Sequence, residues 1–339
     1  MDIRDYLDIK ALPSKAPLSL TFELTCRCNF SCKMCYVHSA GNIKKELTAR
    51  QWLELAKSAS EKGTLFLLLT GGEPLLREDF PFLYEELTKM GFVISVNTNG
   101  SLLAGDILRL FEKYPPNRLN ISLYGAKGDT YLSLCESDSF ERVKENILMA
   151  KKKGLSVRLN YPINALNCRD MEEICRFAKG NDLSVRGVTY MFPQTRAKGD
   201  MGFNDCRLSA EDAVFYRRKW REICNISDNA APLDEVPEYD SCSQCKAGRT
   251  SYWIDCEGNA GACGAIPAGH SVLTLGFNEA IKRVNEDMEK IRLPKECSHC
   301  IYRPRCNVCA ANCYCETGKF DRVPEYVCKM TKRMYNGCI

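Results

Sequence analysis

Short apolar runs alternate with amphipathic stretches along the first 200 residues. Residues 18–24 alternate apolar and polar positions, which predicts a strand. Residues 44–61 carry Leu53, Leu55 and Ala56 on one helical face, and Thr48 with Gln51 three residues on has the form of a capping box. Residues 64–70 are nearly continuous in apolar side chains. That suits a parallel strand covered on both faces. The alternation repeats: helices over 80–90, 103–113, 140–153 and 170–179, and strands over 92–97, 118–123, 155–160 and 183–190. Gly91, Gly154 and Gly180 stand where helices should end. Six βα-type units in this space predict a parallel α/β sheet with outer helices, closed as a partial (β/α)6 barrel. Ligands of such folds bind at the C-terminal ends of the strands.

The pattern changes after residue 200. One more helix is predicted over 210–224. Asp228, Pro232 and Pro237 then mark a linker, and residues 242–328 are dense in Cys, Gly and Asn and short of apolar periodicity. The expected division is a lead over 1–17, a core over 18–225 and a small Cys-rich domain over 226–339, held together more by metal clusters than by a hydrophobic core.

The 339 residues include 21 cysteines, with 45% hydrophobic and 27% charged positions and a formal net charge of +4. The charge balance argues against a nucleic-acid partner. The sequence holds no apolar run of membrane-spanning length and no signal-peptide core, so a cytoplasmic protein is expected. Reduced cytosolic thiols at metal-type spacings read as cluster ligands rather than disulfides.

Cys28, Cys32 and Cys35 form a Cx3Cx2C triad on the loop after the first strand. Soft-sulfur sites select zinc or iron–sulfur. Zinc favours paired C-x2-C units, and this triad is uneven. Gly71-Gly72-Glu73-Pro74 breaks the second strand, its glycines permitting close backbone approach and its glutamate able to accept from an ammonium group. These features resemble the cluster loop and GGEP motif of radical S-adenosylmethionine (SAM) enzymes. The resemblance implies a [4Fe–4S] cluster on Cys28, Cys32 and Cys35, with SAM on its open iron and cleaved to a 5′-deoxyadenosyl radical. It sets Gly72 and Glu73 at the methionine end. Asn97, Ser122 and Asn160 are candidates for the ribose and carboxylate. Met34 stands where an aromatic residue is usual, so Tyr36 is the candidate for adenine packing. Leu134 stands where sulfatase-maturing relatives carry an Arg, so Arg158 is the candidate substitute.

The C-terminal pattern resembles the SPASM extension, which holds two auxiliary [4Fe–4S] clusters in peptide-modifying members. By that resemblance the first takes Cys242, Cys245, Cys263 and Cys309, with Cys313 the alternative to Cys309. The second takes Cys297, Cys300, Cys306 and Cys328. Zinc knuckles built from Cys242/Cys245 and Cys297/Cys300 are the alternative. Cys313 and Cys315 are candidates for a thiol that returns a hydrogen atom to a substrate radical. Of the histidines, His299 lies between two expected ligands and His38 and His270 elsewhere; Asp205, Asp240 and Asp255 are loop carboxylates of no distinguishing context.

The resemblance implies a radical SAM oxidoreductase acting on a peptide or protein, such as a ribosomal precursor peptide, to give a thioether, a carbon–carbon cross-link, an epimer or formylglycine. Flavodoxin or ferredoxin would supply electrons. The short segment ahead of the triad leaves no space for a fused leader-recognition domain. The alternatives are a radical SAM enzyme of a small molecule and a non-catalytic iron–sulfur or zinc protein.

Overall fold

The computed structural model describes residues 3–37, 45–193, 203–226 and 245–336. Its strands are β1 (Ser19–Glu23), β2 (Phe66–Thr70), β3 (Val93–Thr98), β4 (Arg118–Ser122), β5 (Val157–Pro162), β6 (Ser184–Val188), β7 (Ser251–Ile254), β8 (Asn259–Gly261) and β9 (His270–Ser271). Its α-helices are α1 (Ile3–Ala11), α2 (Ala49–Glu61), α3 (Phe80–Lys89), α4 (Gly105–Lys113), α5 (Gly128–Cys135), α6 (Phe140–Lys152), α7 (Met171–Gly180), α8 (Phe203–Cys206), α9 (Ala210–Ile223), α10 (Val272–Leu275), α11 (Phe277–Lys290), α12 (Lys295–Ser298), α13 (Ala310–Thr317) and α14 (Glu325–Tyr335).

The strands form one sheet in the order β6-β5-β4-β3-β2-β1-β7-β8-β9. β1 to β6 are parallel and in sequence order, the partial (β/α)6 arrangement that the alternation predicts. Leu20, Leu67, Val96, Leu119 and Leu159 are buried within it. The helix boundaries follow the apolar stripes, and Thr48 caps α2 as a full capping box with Gln51.

The segment after residue 245 packs against the barrel. β7 pairs with β1 in parallel, Ser19 against Ser251 and Phe22 against Ile254, so the C-terminal part extends the barrel sheet. It also buries a core. Phe277, Ala280, Ile281 and Val284 recur at helical spacing on α11 and join the same apolar cluster as the barrel, and α14 packs on α9. The expected linker falls largely within 227–244, outside the described residues. The lead 1–17 contains α1, whose Asp8 is buried and accepts the Thr250 hydroxyl at 2.9 Å beside Lys246.

Candidate active site

The strands β1 to β6 end at one rim, and the loops there surround a cavity of about 570 Å³. Cys28, Cys32 and Cys35 line one side, with Tyr36 and Met34 beside them. Gly72, Asn97, Ser122, Arg158 and Asn160 line the rest. Residues expected from five separate stretches of sequence thus meet in one cavity.

The cysteine loop is braced from a helix that periodicity did not reveal. Ser31 N–H donates to Cys135 O and Lys33 N–H to Leu134 O, both at 3.0 Å, so the C-terminal end of α5 carries the loop. Leu134, fully buried, serves here as a backbone anchor. Phe30 plugs the loop into the core against Tyr124 and Tyr131, with ring centroids 6.4 and 6.5 Å away. Asn99 Nδ2 donates to Asn29 Oδ1 at 2.9 Å and approaches Cys28 Sγ at 3.8 Å. Arg77, nearly buried, ties the start of the loop to α2 through Leu24 O at 2.8 Å and Leu47 O at 3.1 Å.

The glycines of GGEP meet protein rather than open space. A Cβ on Gly71 would stand 2.3 Å from Thr25 O, and one on Gly72 2.3 Å from Arg27 O. Gly72 N–H donates to Thr25 O at 2.7 Å and Glu73 N–H to Arg27 O at 2.8 Å. The GGEP turn therefore zips onto the cysteine loop. Glu73 is not among the described residues that line the cavity. It is fully buried and accepts the Thr98 hydroxyl at 2.8 Å and the Asn99 and Leu75 N–H groups at 2.7 and 3.1 Å. Its carboxylate is held by Thr98, Asn99 and Leu75.

Electrostatics fit the cysteines to a cation. Burial first, opposed by the Phe30 N–H and joined by the charges of Glu73, Cys32 and Cys35, pushes the Cys28 thiol up to about 12. Cys32 is held well above its ordinary value, first by its hydrogen bond with Cys135 and then by burial. Thiols this reluctant to ionise alone become thiolates when a metal supplies positive charge. Across the cavity, desolvation and then the charges of Arg118 and Arg186 lower Arg158. Its Nε is buried with no hydrogen-bond partner. Arg186 also lines the cavity, and no Asp or Glu is among the described lining residues. The lining therefore offers thiols to a metal cluster and guanidinium groups to an anion.

Two further sets of cysteines converge. Cys297, Cys300, Cys306 and Cys328 line one small pocket with Arg303, and Thr331 Oγ1 lies 3.3 Å from Cys306 Sγ. Cys297 is raised to about 11, by burial first and by the nearby thiols. Cys309 is raised to about 12 by burial, with Cys245 and Cys263 close enough to add to the shift. Cys242 lies outside the described residues. The hydrogen-donor candidates do not face the cavity. Cys313 is fully buried against Leu293, Val308, Cys297 and Cys306, and Cys315 Sγ donates to Ala265 O at 3.2 Å. His270 pairs with Asp287 at 2.7 Å, and Asp255 caps the turn between β7 and β8 through Asn259 N–H at 2.8 Å. His38 and Asp240 lie outside the described residues.

The family model described as the radical SAM superfamily matches residues 22–178. A protein of Methanothermobacter thermautotrophicus named probable GTP 3′,8-cyclase is 36% identical over 244 residues, 70% of this chain and 73% of that one. Two further relatives of that name type are matched over only 62% and 60% of their own length. An AdoMet-dependent heme synthase of Methanosarcina barkeri is 24% identical over 334 residues, 91% of this chain and 95% of the relative. The fold is similar to that of Streptococcus suis SuiB bound to S-adenosylmethionine, with a TM-score of 0.71, 17% identity, and cover of 96% of this chain and 81% of that one. SuiB bound to its precursor peptide SuiA gives a TM-score of 0.68 at 16% identity, with cover of 96% and 80%.

Proposed function

The chain belongs to the radical SAM superfamily, whose members use SAM and a [4Fe–4S] cluster, and from that premise we propose that it modifies a peptide or protein side chain or Cα with the help of two auxiliary [4Fe–4S] clusters. The observation that carries the catalytic part is the rim cavity, lined by Cys28, Cys32 and Cys35 together with Arg158, whose buried Nε has no hydrogen-bond partner. The three thiols hold the cluster, whose chemistry when loaded is one-electron reductive cleavage of SAM. Arg158 receives the SAM carboxylate by a charge-assisted hydrogen bond. Ser122, Asn97 and Asn160 offer polar contacts to ribose and carboxylate, and Tyr36 offers a face to adenine. Gly72 presents backbone at the methionine end. Glu73 holds Asn99, and Asn99 steadies the loop at Cys28.

The peptide reading is supported by the three and four cysteines that converge beyond residue 245 and by fold likeness over nearly the whole chain to a protein that binds a precursor peptide. We assign Cys245, Cys263 and Cys309, with Cys242, to one auxiliary cluster and Cys297, Cys300, Cys306 and Cys328 to the other. An external flavodoxin- or ferredoxin-type donor in the cytoplasm supplies electrons. A second reading, an anionic small molecule as substrate, is favoured by a cavity lined by Arg158 and Arg186 with no Asp or Glu among its described lining residues, and by the names of the sequence relatives. The test incubates the reduced, iron-loaded protein and SAM with a cysteine-containing peptide library or with GTP. Stimulated 5′-deoxyadenosine release and a modified peptide support the first reading. Stimulation by GTP alone supports the second.

A further inference from the structure

Glu23, Cys26 and Cys256 form a separate group of metal-type ligands outside the cavity. The pairing of Phe22 with Ile254 ends β1 and β7 at the same rim, so the loops leaving them run side by side. Cys26 Sγ comes to 2.8 Å from Cys256 Sγ and 3.7 Å from Glu23 Oε1. The three ligand atoms all lie within 4.8 Å of one another. All three residues are buried, Glu23 completely. Glu23 Oε2 accepts the Trp253 indole N–H at 2.9 Å, which fixes the carboxylate plane and leaves Oε1 toward sulfur. The Cys256 carbonyl accepts Leu47 N–H at 2.8 Å, holding that loop in place, and Val37 and Cys35 pack around the two thiols.

A disulfide would use the two sulfurs and give the carboxylate no role. A divalent cation uses all three. It takes both sulfurs as thiolates while spacing atoms that otherwise lie closer than van der Waals contact. Zinc accepts Cys and Glu ligands in tetrahedral sites, and the Trp253 hydrogen bond has the form of an outer-shell contact that orients a ligating carboxylate. We propose that Glu23, Cys26 and Cys256 bind one zinc ion, with a water in the fourth position, as a staple between the loop that begins the cysteine triad and the strand that joins the C-terminal part to the barrel. The site uses none of the cluster ligands assigned above, and Cys35 packs beside its thiols.

The test is zinc content and zinc K-edge X-ray absorption on the full, anaerobically iron-loaded chain. The expected result is about one zinc per chain, with two sulfurs at about 2.3 Å and oxygens at about 2.0 Å in its first shell. Cys256→Ala should lose the zinc with iron content unchanged, whereas Cys297→Ala should keep it. Absence of zinc, a four-sulfur shell, zinc retained in Cys256→Ala, or a Cys26–Cys256 cross-link in peptide mapping overturns the proposal. The wild-type absorption shell decides the matter even where a variant fails to fold.

Discussion

The Glu73 carboxylate accepts the Asn99 backbone N–H at 2.7 Å, and the Asn99 side chain reaches to 3.8 Å of Cys28 Sγ. A fully buried acid therefore sets the position of a neighbour of the first cysteine. Burial raises Glu73 from 4.5 to about 7, against the Asn99, Thr98 and Leu75 donors that lower it. The folded protein thus binds a proton that the unfolded chain has already released over that interval. Stability falls as pH rises from about 4.5 to 7 and is level above, a span worth on the order of 3 kcal/mol. Glu73→Gln removes the titration, so the urea midpoint of the variant should lose this downward slope. Equal slopes in the two proteins would assign the effect elsewhere.

Gly72→Ala places a methyl group 2.3 Å from Arg27 O, on the backbone that holds the cysteine loop. Overpacking against backbone costs about 1–3 kcal/mol. The variant should unfold at lower urea and lose iron from the triad, while the C-terminal cysteines keep theirs. Wild-type iron content and midpoint together would contradict the zipper between the turn and the loop.

Arg158 and Arg186 should separate by ligand. Loss of a charge-assisted hydrogen bond costs about 1.5–3 kcal/mol, so Arg158→Gln should weaken SAM binding by roughly 10- to 150-fold. Arg186→Gln should bind SAM as the wild type does and lose substrate-stimulated turnover if the substrate is anionic. Calorimetric titration with SAM reads the first effect. A SAM affinity unchanged in Arg158→Gln would remove that residue from the carboxylate.

Cys306→Ala should lower iron by about four per chain while leaving reductive SAM cleavage in place, because its pocket is separate from the rim cavity. Iron and sulfide analysis with product counting reads both quantities. An unchanged iron content would favour zinc knuckles or plain thiols in the C-terminal part.

The barrel was legible because its strands are continuous apolar runs between amphipathic helices, and the rim site because its ligands stand at strand ends. α5 was not. Thr130, Tyr131, Ser133 and Cys135 are weak helix formers on a helix that opens with Gly128, and tertiary packing decides its form. The parallel pairing of β7 with β1 joins residues more than 200 positions apart, which no local pattern announces. α11 carries its signal in the helical spacing of Phe277, Ala280, Ile281 and Val284, set in a segment whose dense cysteines mask it. Glu73 carried a polar signal that fitted a ligand contact, and only its burial reveals the role in positioning Asn99.

The central claim is that Cys28, Cys32 and Cys35 hold the cluster that cleaves SAM. Its most direct test is 5′-deoxyadenosine release from dithionite-reduced, anaerobically iron-loaded protein, comparing the wild type with Cys32→Ala. The predicted result is release by the wild type, with about twelve irons per chain from three four-iron clusters, and none by the variant, which retains the C-terminal irons. Release by Cys32→Ala at the wild-type rate would contradict it.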